Sequence, residues 1–290
     1  MTDFLYVGVD GGGTSCRARL QDANGNTIGE GLSGSANVYQ NPEGTLVSII
    51  DAVDQALVAA GFTPDDKARV HAGLGLAGCE ITTSQKFLDA WDHPFASMVY
   101  QNDAHTACLG AHGGENGAML IIGTGIKGWL IEGEDIHGWT GWGFPLADQG
   151  SGAWLGLRVL QETLRAVDGL REHTGVTKEV LEKFDGDASQ IAVWAATAKS
   201  GDYGQFAPLA VHNKKNGDAV AVQIMQEQAD IVAEMLDQMI SRTNGKIALL
   251  GGLTPFVKEN LPQHYLQHFV DAQDDAQTGA LAMIRRARGV

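Results

Sequence analysis

The chain has 290 residues, 44% hydrophobic and 19% charged, which is enough for two packed cores and unlike the composition of disordered segments. A formal net charge of -15 argues against a nucleic-acid partner, whose phosphates are neutralised by clustered Lys and Arg. No run approaches the length of a membrane span, Met1 to Phe4 carry no basic leader, and Cys16, Cys79 and Cys108 are too widely spaced for a disulfide framework or zinc ribbon, so a cytoplasmic protein with reduced thiols is expected.

Phe4 to Val9 is an apolar run ending at Asp10 and three glycines, which predicts a buried strand entering a tight turn. Cys16 to Leu20 alternates, Asn24-Gly25 signals a hairpin, and Thr27 to Gly31 completes a three-stranded meander. Asn41-Pro42-Glu43 opens a helix with Leu46, Ile49, Ile50, Val53 and Leu57 on one face, ending near Gly61. Val70 to Leu76 reads as a strand, Ser84 to Trp91 as a short helix, Met98 to Gln101 as a strand and Ala104 to Gly110 as a helix. The opening pattern then recurs about 110 residues downstream, with an apolar run from Ala118 to Ile122, the turn Gly123-Thr124-Gly125, and a hairpin of Lys127 to Ile131 with Ile136 to Trp139. Long helices over Gly152 to Val167 and Ala219 to Arg242 follow, with Met235 and Met239 read as core packing. A strand from Lys246 to Leu250 meets Gly251-Gly252, and a last helix spans Gln277 to Arg288, where Arg285, Arg286 and Arg288 oppose the helix dipole. Two similar α/β halves with matching glycine turns imply a ligand cleft between them.

Asp10-Gly11-Gly12-Gly13-Thr14 serves equally as a plain hairpin turn or as a phosphate cradle, in which backbone N–H groups and the Thr14 hydroxyl face an anion. Gly123 to Gly128 satisfies the glycine spacing of a dinucleotide fingerprint, but a second strand follows where that motif needs a helix, so only the phosphate-cradle reading survives. Walker A and protein-kinase motifs are absent. Phosphoryl transfer to a hydroxyl needs amides and Mg²⁺ around the phosphates and a carboxylate to take the proton; Asp10 suits the metal side and Asp103 the hydroxyl side. Asp103 also reads as the N-cap of the helix after it, and Asp148 as a cap or as an anchor for sugar hydroxyls. Trp129, Trp139 and Trp142 serve either a core or a sugar face, with Trp142, between Gly141 and Gly143, the better site neighbour. The nine histidines show no metal-ligand spacing.

Asp10 to Thr14, Ser35-Ala36-Asn37, Asn102-Asp103-Ala104, Gly123-Thr124-Gly125, Gly141-Trp142-Gly143 and Asp148-Gln149-Gly150-Ser151 occur in an order that resembles the N-acetylglucosamine kinases and their BadF/BcrA-type ATPase relatives. Thr14 to Arg19, His93 to Ser97, Cys108 to His112 and Asp202 to Phe206 make the likeness greater to the bacterial glucosamine kinases. The resemblance implies an α/β fold of duplicated actin-like ATPase domains (acetate/sugar kinase, Hsp70, actin; ribonuclease H-like), with 1–106 plus 277–290 as one domain and 107–276 as the other. It implies ATP and Mg²⁺ as cofactors, with Asp10 reaching the metal through water. Phosphate-binding turns are implied at Gly11, Gly12, Gly13 and Thr14 and at Gly123, Thr124 and Gly125, with the adenosine side near Gly251 and Gly252. Asp103 is implied as base on the 6-hydroxyl, and Asn37, Asp103, Thr124, Gly141, Trp142 and Asp148 as sugar contacts. The family continues its second turn with serine, where this chain has Ile126 and then Lys127. The expected reaction is ATP-dependent phosphorylation of glucosamine to glucosamine 6-phosphate, with N-acetylglucosamine as the alternative acceptor. Lower alternatives are an iron–sulfur ATPase activating a 2-hydroxyacyl-CoA dehydratase and a sugar-responsive regulator. The expected partner is a small amino sugar, neither nucleic acid nor membrane, and a homodimer is an allowed assembly.

Overall fold

The computed structural model describes residues 4–243 and 246–290; Met1, Thr2 and Asp3, part of the N-terminal reading above, lie outside the described residues. The first sheet is built from β1 (Leu5–Gly11), β2 (Cys16–Gln21), β3 (Thr27–Ser33), β4 (Val70–Leu76) and β5 (Ser97–Asn102), in the order β3-β2-β1-β4-β5. Hairpins make β2 antiparallel to both β1 and β3, whereas β4 and β5 return through helices and run parallel to β1. Helix α1 (Pro42–Ala59) buries Ile49, Val53 and Leu57 on this sheet, and the side chain of its cap Asn41 accepts from Gly44 N–H. Short α2 (Thr82–Asp89) precedes β5, and α3 (Asp103–Ala111) follows it directly.

The last helix, α11 (Ala276–Arg288), lies on the other face, against β1, β4 and α3. Glycines permit that approach. A Cβ at Gly8 would stand 2.1 Å from the Gln277 carbonyl oxygen, and one at Gly73 2.0 Å from that of Ala280. Arg285 does more than oppose the helix dipole, because its guanidinium lies 4.2 Å from the Tyr6 ring centroid and donates to Gln21 Oε1 and the Asp22 carbonyl.

A second sheet comprises β6 (Gly117–Ile122), β7 (Ile126–Glu132), β8 (Asp135–Thr140), β9 (Ile247–Leu250) and β10 (Phe269–Val270), in the order β10-β9-β6-β7-β8. Read from its other edge, this order matches the first sheet strand for strand: a meander, then two later strands beside its first member. The downstream repeat is therefore a repeat of topology.

The chain divides into two compact units, Met1–Met119 with Trp129–Ile136 and Asp271–Val290, and Leu120–Gly128 with His137–Val270. In the second, α4 (Gly152–Val167), α5 (Gly175–Lys183), α6 (Ser189–Ala195), α7 (Ser200–Gly204), α8 (Ala207–Lys215) and α9 (Ala219–Ile240) close over a core of Leu155, Val159, Val180, Ile191, Phe206 and Ile224. Short α10 (Thr254–Lys258) follows β9. Glu162, 4% exposed, is paired with Arg158, Arg165 and Arg171. Among the described residues no helix is long and apolar enough to cross a membrane.

Candidate active site

Gly11, Leu76 and Asn102 lie side by side across the β1, β4 and β5 ladders, so Asp10 and Asp103 reach the same C-terminal edge of the first sheet. The glycine turn there is pinned by its backbone. Ala77 N–H donates to the Gly11 carbonyl (2.8 Å), Ala36 N–H to that of Gly12 (2.9 Å), and Gly12 N–H to that of Ser15 (3.0 Å). A Cβ at Gly11 would sit 2.7 Å from Leu76 Cδ2. The turn therefore presents Gly13 and Thr14, both exposed, at its tip.

Half-buried Asp10 has its pKa raised, first by burial and then by the Asp103 charge, with Asp275 adding and Arg17 opposing. Two carboxylates that feel one another this way form a site that favours a cation. Asp103 is the first residue of α3, and the cap is its neighbour: buried Asn102 accepts from Ala104 N–H through Oδ1 (2.8 Å). Asp103 Oδ1 accepts from the same N–H (2.8 Å), which leaves its second oxygen outside the cap. Asn37 pairs with Ala77 in a short parallel bridge and accepts from Gln40 N–H, so this side chain holds its own loop while standing beside Gly78.

The second unit carries the other group. Gly123 N–H closes the turn onto the Gly125 carbonyl (2.9 Å), and the first amides of α4 seize it from behind, Gly152 N–H on the Gly123 carbonyl (2.7 Å) and Ala153 N–H on that of Thr124 (3.0 Å). Thr124 and Gly125 are exposed. The cap of α4 is Ser151, accepting from Trp154 N–H (3.2 Å), so Asp148 is released from that reading. Asp148 is 8% exposed and stands in the left-handed region (φ 68°). Burial raises its pKa, opposed by N–H donation from Ile126 and Phe144 and by the Lys127 charge, so the carboxylate ties the second turn to the 141–150 loop. It lies close against Gly125, where a Cβ would be 3.4 Å from Oδ2. The Lys127 stem covers Gly141 at 3.2 Å by the same measure. Trp142 is 88% exposed between Gly141 and Gly143, both at positive φ, whereas Trp139 packs on His137 at 4.4 Å between centroids and joins the hairpin. Gly251 (φ 94°) passes so near the end of β6 that a Cβ would be 2.3 Å from the Ile122 oxygen, which sets Gly251 and Gly252 beside the second turn.

A family model described as the BadF/BadG/BcrA/BcrD ATPase family matches residues 7–283. The chain belongs to that family. It is 41% identical over 276 residues to the glucosamine kinase of Vibrio cholerae, covering 95% of this chain and 94% of that one. It is 26% identical to the N-acetyl-D-glucosamine kinase of Dictyostelium discoideum, with 91% and 92% covered. A crystal structure from Chromobacterium violaceum assigned as an N-acetylglucosamine kinase superposes with a TM-score of 0.87 at 28% identity, covering 98% of this chain and 100% of that one. The architecture is that of duplicated actin-like ATPase domains, and the same strand order appears in both sheets.

Cys16, Cys79 and Cys108 are all buried, and burial pushes the Cys16 and Cys108 thiols up to about 12. Two residues escaped the sequence reading. Asn102 was grouped with Asp103 but given no task, although its carboxamide caps α3 and donates to Glu80 Oε2 (2.7 Å). Glu80, four residues beyond β4, carries the same strand-end signal that singled out Asp103.

Proposed function

We propose that this chain is an ATP-dependent amino-sugar kinase that transfers the γ-phosphoryl group to the 6-hydroxyl of glucosamine. The observation that carries the reading is the 41% identity to a glucosamine kinase across nearly all of both chains. Asp103 accepts the proton of the 6-hydroxyl, whose oxygen forms the new bond to phosphorus as the bond to the ADP oxygen breaks. Its place at the first position of α3, on the sheet edge that also carries Asp10, suits that task. The exposed tips Gly13-Thr14 and Thr124-Gly125 supply donors to phosphate oxygens. Each belongs to one repeat, 1–106 with 277–290 or 107–276. Asn37 in the first unit and Gly141, Trp142 and Asp148 in the second are the candidate sugar contacts, and Gly251 and Gly252 the candidates for adenosine.

Magnesium fits Asp10. No three His, Cys, Asp or Glu converge among the described residues, but Mg²⁺ asks for only one or two carboxylates with phosphate and water, and the Asp103 charge beside Asp10 favours a cation there. Asp10 would hold the ion, which would supply neutralising charge to the phosphates of ATP. The test is ADP release with glucosamine, N-acetylglucosamine, glucose and N-acetylmannosamine. Glucosamine is expected to give the highest kcat/KM, and no sugar-stimulated ADP release from any of the four would refute the reading.

A further inference from the structure

The proposed acceptor differs from glucose only in an ammonium at carbon 2, and such a group is recognised by an acceptor that leaves no buried charge unpaired. Asp103 is occupied with the 6-hydroxyl on the far side of the sugar ring. Asp148 spends its carboxylate on the N–H groups of Ile126 and Phe144, with the Lys127 cation beside it, which makes a poor receptor for a second cation. Asn37 uses its oxygen on Gln40 N–H. A different carboxylate is needed, and the first sheet's edge holds one.

Glu80 sits in the loop after β4, and its Oε2 accepts from Asn102 Nδ2 at 2.7 Å. Asn102 is 3% exposed, and its other end shares the Ala104 N–H with Asp103, so a single carboxamide and a single backbone amide separate the two carboxylates. The loop itself is fixed at both sides of the proposed site. Ala77 N–H donates to the Gly11 carbonyl of the first turn, Val38 N–H donates to the Ala77 carbonyl, and Gly78 (φ 76°) lies close enough to Asn37 that a Cβ would be 2.8 Å from its Oδ1. Holding an otherwise exposed glutamate in one rotamer costs side-chain entropy. A buried asparagine spent on that task marks Glu80 as a group kept in place. Asp10 and Asp103 add negative potential at the same edge, which disfavours a further anion and favours a cation.

We propose that Glu80, positioned by Asn102 at the edge that carries Asp103, receives the 2-ammonium of the acceptor and determines its preference over neutral sugars. The assignment rests on the amino-sugar kinase reading. Its test compares wild type, Glu80→Gln and Glu80→Asp on glucosamine, glucose and N-acetylglucosamine with saturating Mg-ATP. Glu80→Gln is expected to lower kcat/KM for glucosamine about 10- to 100-fold, the range of a charge-assisted hydrogen bond, through KM, while both neutral sugars stay within about threefold. Glu80→Asp keeps the charge and is expected to retain most of the preference. Equal losses for all three sugars would reduce Glu80 to a support for Asn102 and overturn the proposal, as would an unchanged ratio. The neutral-sugar rates serve as the folding control within each variant. A wild-type enzyme that phosphorylates none of the three sinks the underlying reading before any variant is made.

Discussion

Asp103 and Asp10 share an edge but are asked to do different things, and their surroundings separate the tasks. Asn102 supplies the α3 cap, so Asp103→Asn removes the proposed base without removing the cap. The variant is expected to keep the wild-type Tm and lose about 10²–10⁴-fold in kcat; near-normal turnover in a phosphoryl-transfer assay would dismiss Asp103 as base. Asp10 carries a stability cost. Its raised folded pKa means that the fold favours the protonated acid, so its contribution is full below the unfolded pKa and is lost as pH rises through the folded value. Without metal or nucleotide, Asp10→Asn is expected to raise Tm at pH 7, with the gain fading in acid, while kcat/KM for Mg-ATP drops by about 10–100-fold or more. Calorimetry showing the variant less stable at neutral pH would contradict the burial account.

The elements that the sequence revealed are those whose signal is local. Phe4 to Val9, Val70 to Leu76 and Ala118 to Ile122 are apolar runs that end in glycine or small residues, and β1, β4 and β6 follow them closely. Helices α1, α4, α9 and α11 have enough turns for periodicity to show. The segment between Val167 and Ala219 carries no such local signal, because α5, α6, α7 and α8 have five to nine residues each and find their core only by packing together on Leu155, Val159 and Ile224. Caps were misplaced for a related reason. Asn102 and Asp103 are adjacent, as are Asp148 and Ser151 nearly so, and which one caps depends on where helical backbone begins, a tertiary outcome. Ser151→Ala is accordingly expected to destabilise the chain by about 1 kcal/mol, lowering Tm by roughly 2–4 °C, whereas Asp148→Asn should act on turnover more than on the α4 terminus. Thermal melts in which Ser151→Ala costs nothing would return the cap to another residue. Glu80 was invisible for the plainest reason: its partner Asn102 lies 22 positions away, and only folding joins them.

At the scale of the whole molecule the charge is -15, and it acts on the two substrates with opposite sign. ATP is an anion and glucosamine a cation, so the summed field slows encounter with one and hastens it with the other. Salt removes this field: raising ionic strength from about 0.01 M to about 0.15 M shortens the screening length from roughly 30 Å to roughly 8 Å, while contacts at hydrogen-bond distance are screened far less. Over that range kcat/KM for Mg-ATP is expected to rise and that for glucosamine to fall, each by roughly two- to fivefold, with glucose as acceptor nearly flat. The same slopes should persist in Glu80→Gln, because removing one charge of fifteen barely alters the field even as it removes the local contact. Selectivity and salt dependence therefore come apart: the first belongs to Glu80 and its tether, the second to the whole acidic surface. Slopes of the same sign for ATP and glucosamine would show that ion binding at a particular site, and not the net charge, governs both encounters.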